Sequence, residues 1–208
     1  MKDFLRKNSS LSGFSKAFVI IVVAYVMAHL LTAKLVTPTQ RYFLSEITVF
    51  ASLVYLPHGV RVLAIWLWGW KAIFPLFTGG MISSLVFTPS EVLSLIEPVM
   101  LEANVVGATS ALIVFGLASL IGLRLHAEHR TSISWKSLLT VGALASLVNS
   151  AGQTFVYSGL ILPENILAVF LTYAIGDLIG LTVCMFALML VFRWLRKFNG
   201  RVDAARLR

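Results

Sequence analysis

The chain has 208 residues, 58% of them hydrophobic and 12% charged, with a mean hydropathy of +0.88, whereas a soluble domain carries about 25% charged residues. That composition excludes a soluble globular domain, and no hydrophilic stretch is long enough to fold separately as a catalytic or DNA-binding unit. The formal charge of +8 arises from 17 Lys and Arg against 9 Asp and Glu, but these cations flank hydrophobic runs, where they set topology and meet anionic lipid head groups, so nucleic acid is not an expected partner.

Residues Met1 to Lys16 carry Lys2, Arg6, Lys7 and Lys16 against Asp3 and lead into the apolar run Ala17 to Ala33. The layout is that of a signal peptide, but the run is long and no small-x-small cleavage site follows it. It therefore reads as a retained first helix with its amino end in the cytoplasm. Thr37-Pro38-Thr39 reads as a turn. A second apolar run then begins near Tyr42 and continues to Trp66, Trp68 and Trp70, a cluster that with Lys71 reads as an interfacial belt.

A third helix is expected over about Ala72 to Phe87, closed by Thr88-Pro89-Ser90. The loop Pro89 to Pro98 carries Glu91 and Glu97 and no basic residue, which suits the outer side. The fourth, fifth and sixth helices are expected over about Val99 to Leu123, Ser137 to Tyr157 and Ile166 to Trp194. A basic loop with Arg124, His126, His129, Arg130 and Lys136 precedes the fifth, and a short outer turn, Gly159 to Asn165, precedes the sixth. Fourteen Lys and Arg then lie on the inner side, against Lys34 and Arg41 outside and Arg61 within the membrane. The expected fold is all-α, a polytopic bundle of about six transmembrane helices with both ends cytoplasmic. Its parts are a cytoplasmic segment 1–16, the membrane domain 17–194 and a basic tail 195–208.

An ionisable side chain at membrane depth costs at least ~2.5 kcal/mol on insertion scales, so it faces a bundle interior with a partner or a ligand. Asp177 lies near the middle of the sixth helix, and the embedded cations available to it are His58 and Arg61. Counting from the cytoplasmic ends puts Asp177 roughly 24 Å deep and Arg61 roughly 15 Å deep, with His58 nearer in depth to Asp177. Either an Arg61–Asp177 or a His58–Asp177 pair is expected. Tyr173, Asp177, Gly180 and Cys184 share one face of the sixth helix, and Gly142, Ser146, Asn149 and Gln153 one face of the fifth. Both faces should point inward, with Asn104, Ala108 and Ala111 a weaker version on the fourth helix. Much of this is ordinary bundle glue, small and amide residues that let helices approach and hydrogen-bond in lipid.

The residue before a proline is pushed out of the helical region, whereas proline itself suits a first helical position. Leu56-Pro57-His58-Gly59 is therefore expected to break the second helix in mid-membrane. The lower half would present free backbone N–H groups and a positive dipole end. With His58 and Arg61 in or beside that first turn, a small anionic ligand is the sharper expectation, with Asn149, Gln153, Tyr173 and Asp177 closing the pocket. The alternative is a plain proline kink.

No serine or cysteine nucleophile has a neighbouring base, and there is no glycine-rich phosphate loop and no interacting pair of carboxylates, so an enzyme is not expected. Cys184 is the single cysteine. An internal disulfide is excluded, the spacings of a zinc site are absent, and no cofactor or metal is expected.

Pro57, Gly59, Leu63 to Leu67, Gly69, Phe74-Pro75 and Gly79, followed late in the chain by Gly176-Asp177 and Gly180, form an ordered set of short motifs. The set resembles the first type of membrane-associated sensor domain, found ahead of bacterial histidine kinases and diguanylate cyclases, over about Ala17 to Val191. His58 and Arg61 stand where that pattern has small or apolar residues. The resemblance implies a multi-pass protein of the bacterial cytoplasmic membrane that binds a small ligand. With no effector after the sixth helix, a protein partner is expected to carry the output. Other expectations are a small solute transporter or substrate-binding subunit, and a scaffold protein that binds no ligand.

Overall fold

The computed structural model describes residues 11–123, 125 and 135–206, which are helical with no strand among them. The basic stretches Met1 to Ser10 and Glu128 to Ser134, together with Arg124 and His126, lie outside the described residues, and with them the expected solvation of His126 and His129. Among the described residues four stretches are long and apolar enough, by length and composition alone, to cross a membrane: Gly13–Arg41, Leu56–Phe87, Ser90–Leu120 and Pro163–Val191, the second of which is divided at Gly69 and does not cross as one straight helix. The protein is an all-helical membrane bundle.

Helix α1, Leu11–Leu31, passes through a π turn at Thr32–Val36 into α2, Thr37–Arg41. The turn expected at Thr37-Pro38-Thr39 is not there. Pro38 lies in the first turn of α2, where a missing N–H costs little. The wide turn before it lets the Thr37 N–H reach the Thr32 carbonyl, which also accepts from Thr37 Oγ1 at 3.2 Å. The chain leaves the helix only at Tyr42 and crosses residues 42–55 with one short helix, α3, Ser45–Thr48.

Helix α4, Leu56–Trp68, follows, then a 3₁₀ turn at Gly69–Ala72 and α5, Ile73–Phe87. These are two antiparallel legs rather than one rod. The Tyr25 hydroxyl touches Arg61 of α4 at 2.6 Å, while a Cβ on Gly79 of α5 would lie 3.0 Å from Tyr25 Cβ. On a straight helix residues 61 and 79 would stand about 27 Å apart. The reversal falls at Gly69, whose φ of 57° is open to glycine at little cost.

Next come α6, Ser90–Ile96, a 3₁₀ turn Glu97–Val99, α7, Met100–Leu120, and α8, Trp135–Val156. A 3₁₀ turn Pro163–Asn165 leads into α9, Ile166–Arg206. The Pro89 to Pro98 segment, expected as a loop, is largely helical, and helix runs across the expected borders of the membrane domain, α1 starting at Leu11 and α9 continuing to Arg206. Trp66 is also not interfacial, being 8% exposed in the core beside Ile65 and Leu76, whereas Trp70 is 60% exposed.

Helices α4, α7, α8 and α9 pack closely around the middle of the molecule, with α1 and α5 closing the remaining side. Glycines set the closest approaches. A Cβ on Gly176 would lie 1.9 Å from the Ser52 carbonyl oxygen, one on Gly180 2.1 Å from that of Tyr55, and one on Gly59 2.5 Å from Cys184 Cβ. The rising pairs 52 with 176, 55 with 180 and 59 with 184 run α4 parallel to α9. Below that level Val62, Ile65, Leu76, Phe115, Val141 and Leu181 form a closed apolar core.

Candidate functional site

The break before α4 is sealed by its neighbours. Tyr55 has non-helical dihedrals, φ −100° and ψ 86°, and Pro57 occupies the helix's first turn, as the X-Pro restriction requires. The backbone donors expected to be free are not free. The Leu56 N–H donates to Thr32 Oγ1 at 3.2 Å, Pro57 has none, and the His58 N–H donates to the Tyr55 carbonyl at 3.2 Å. The Tyr55 N–H reaches the Gly176 carbonyl at 2.9 Å, and Cys184 Sγ donates to the Leu56 carbonyl at 3.3 Å. Unpaired backbone groups at this depth would each cost several kcal/mol, roughly, so the neighbours supply partners. The non-helical segment above is held by Gln40, which donates from Nε2 to the Ala51 carbonyl at 2.9 Å and accepts the Leu53 N–H at 2.7 Å.

His58 and Asp177 form a pair. Nδ1 and Oδ2 are 3.2 Å apart and both side chains are fully buried. His58 Nε2 faces the Gly142 carbonyl at 3.1 Å. A carbonyl can only accept, so Nε2 carries a proton, and the neutral tautomer would turn a lone pair on Nδ1 towards the carboxylate. The arrangement is complementary when the pair as a unit holds a proton on that side, which makes it neutral overall. Asn149 Nδ2 donates to the same Oδ2 at 2.7 Å, while Oδ1 has no hydrogen-bond partner.

Arg61 is left without a counter-ion. It is 5% exposed, and among the described residues no carboxylate lies within ion-pair distance of it. Nη2 donates to Tyr25 Oη at 2.6 Å and to Tyr55 Oη at 3.4 Å, and the two hydroxyls are 3.2 Å apart. Cζ lies 5.5 Å from the Tyr25 ring centroid and 5.2 Å from that of Tyr55, so two ring faces attract the cation. Nε and Nη1 have no partner. Gly107 makes room for the group, because a Cβ there would lie 2.5 Å from Nη2 and 2.8 Å from Cζ.

Arg61 lines a cavity of about 680 Å³. The cavity reaches from the exposed Lys34, Arg41, Tyr42 and Pro89 past His29, Phe87 and Tyr157 to Asn104, Asn149, Gln153 and Tyr173. Its charged lining consists of Lys34, Arg41 and Arg61, and no Asp or Glu lines it. Such a volume suits a small ligand, and its charge suits an anion.

Of the residues singled out from sequence, Arg61, Asn149, Gln153 and Tyr173 line the cavity. Pro57, His58, Gly59 and Asp177 do not line it; Asp177, paired with His58, is joined to it through Asn149. Tyr173 is already committed, donating to the Phe50 carbonyl. Sequence reasoning missed Tyr25, His29, Thr32 and Tyr55. The first three recur at offsets of four and three on α1, a polar and aromatic stripe that would have marked an inward face. Tyr55, next to the proline break, carried no such signal. No family model, curated protein or solved structure matches this chain.

Proposed function

We propose that this is a sensor-like membrane protein of the bacterial cytoplasmic membrane that binds a small anionic ligand on Arg61 and acts through a partner protein. One observation carries the reading: Arg61, a buried cation whose Nε and Nη1 have no partner, is among the residues lining an open cavity whose charged lining is entirely basic. A permanent cation held at that depth without a carboxylate is costly, and an anion from outside is the species that relieves it. The pair His58–Asp177, neutral as a unit, does not compete for that role. The resemblance to bacterial membrane sensor domains points the same way.

A thermal-shift screen of carboxylates, phosphates and amino acids on the purified full chain tests the reading. A ligand at 100 times its dissociation constant should stabilise the fold by ~2.7 kcal/mol through mass action. Arg61→Gln should remove most of that shift and Arg193→Gln should not. Equal shifts in wild type and Arg61→Gln for every stabilising anion would put binding elsewhere.

A second reading, a small solute transporter, has its own support in a half-helix that starts at mid-depth beside non-helical backbone, an arrangement used at transporter binding sites. Uptake of labelled solute by reconstituted vesicles would decide for it; a sensor moves none.

A further inference from the structure

Two amides beside the guanidinium have their orientation fixed by backbone carbonyls. Asn104 Nδ2 donates to the Met100 carbonyl at 3.0 Å, and Gln153 Nε2 donates to the Ala103 carbonyl at 2.8 Å. A carbonyl accepts and never donates, so the nitrogen of each amide must face it and the oxygen must face away. Asn104 Oδ1 and Gln153 Oε1 thereby stay without a donor among the described residues, on two side chains 9% and 5% exposed that both line the cavity. Asn149 is different, since its Oδ1 accepts from Gln153 Nε2 at 3.4 Å.

The level of these oxygens follows from α7. Gly107 lies against the Arg61 guanidinium, and Asn104 is on the same face about 4.5 Å nearer the mouth. Ala103, which holds Gln153, is its neighbour. The cavity lining therefore includes a cation, whose Nε and Nη1 are buried without a partner, and two side chains with neutral acceptors about one helical turn nearer the mouth, Asn104 Oδ1 standing beside Gly80, where a Cβ would come within 2.2 Å of it. A plain carboxylate or phosphate would satisfy the first and leave the second without donors.

Resting on the anion reading above, we infer that the ligand carries an ammonium beside its carboxylate, and that its class is the free α-amino acids. The carboxylate meets the Arg61 guanidinium, and the ammonium donates to Asn104 Oδ1 and Gln153 Oε1. Two acceptors need two donors, which an ammonium has and a single hydroxyl lacks. The acceptors are carbonyl dipoles and not carboxylates, so the site's net positive charge is kept for the anionic group.

The test uses matched carbon skeletons on the purified full chain, with affinity read by titration calorimetry: alanine, lactate and propionate; phenylalanine, phenyllactate and phenylpropionate; glutamate, 2-hydroxyglutarate and glutarate. In at least one set the amino acid should bind about tenfold or more tighter than the plain acid, with the hydroxy acid between, because a site built to accept hydrogen bonds penalises a ligand that lacks the donors. Asn104→Ala should pull that ratio towards one while leaving the plain acid's affinity unchanged. The wild-type ratio needs no variant and decides the matter even if Asn104→Ala folds poorly. Equal affinities within every set, all abolished by Arg61→Gln, would overturn the ammonium and leave the anion site standing. An equal loss for all members in Asn104→Ala would make Asn104 structural and overturn its role. No binding by any member would overturn both readings.

Discussion

His58 Nδ1 and Asp177 Oδ2 meet at 3.2 Å, with neither side chain exposed and 118 residues between them in the chain. The contact joins α4 to α9, and it decides which of two buried cations balances the carboxylate. His58→Leu would leave that carboxylate with only the Asn149 amide and should cost about 3–5 kcal/mol, the usual loss when one partner of a buried pair is removed. Adding Asp177→Asn should recover part of it, since the uncompensated charge is the expensive species. Arg61→Leu combined with Asp177→Asn should be close to additive. Melting curves in detergent check this, and recovery in the second pair rather than the first would make Arg61 the partner.

Gly107→Ala tests how Arg61 is positioned. The new Cβ would stand 2.5 Å from Nη2, and the flexible end of the arginine must move away from it. Ligand affinity should fall about tenfold or more, while stability falls by about 1–3 kcal/mol, typical of overpacking. Gly116→Ala, on the same helix with nothing within 4 Å of its Cβ, is the control and should change neither.

Gly180→Ala differs because the obstacle is backbone. Its Cβ would be 2.1 Å from the Tyr55 carbonyl oxygen and 2.4 Å from the carbon, neither of which can rotate aside. A loss above about 3 kcal/mol is expected, together with a loss of ligand affinity, because Tyr55 moves with its backbone. A stable variant with intact binding would show that α4 and α9 can separate without disturbing the site.

Sidedness follows from charge. In a Cys184→Ser background, a cysteine at Ser90 should label from outside and one at Lys136 from inside, because the topology expected from the sequence puts fourteen of the Lys and Arg on the inner side. Labelling of both from the same side would remove the arrangement.

The bundle was legible because its signals are strong: apolar runs of membrane length, and glycine and amide faces at helical spacing. The break at Pro57 was legible for a local reason, the restriction that proline places on Leu56. What followed from that break was misjudged, because the Tyr55 carbonyl satisfies the His58 N–H within the turn and Thr32, a tertiary contact 24 residues away, satisfies that of Leu56. Pro38 misled in the opposite way. A π turn before it absorbs the missing N–H, and no local residue preference marks such a turn. The partner of Asp177 stayed open because depth counting carries an error of several ångströms, which is the difference between His58 and Arg61. The free oxygens of Asn104 and Gln153 could not be read at all, since they depend on which carbonyl each amide nitrogen meets.

The fold-back at Gly69 bears on the order in which the molecule is completed. The legs α4 and α5 hold 13 and 15 residues, about 20 and 22 Å, so neither reaches across ~30 Å of hydrocarbon. The segment leading into α4 has its Tyr55 N–H held by Gly176, and Leu56 by Cys184, more than a hundred residues later. During synthesis these groups wait, still without those partners, until the final helix emerges. Loop closure over so long a separation is slow, so the surroundings of the cavity take their shape only after α9 has been made. A nascent chain arrested after Val156 should leave residues 42–55 open to added protease, and release of the full chain should close them.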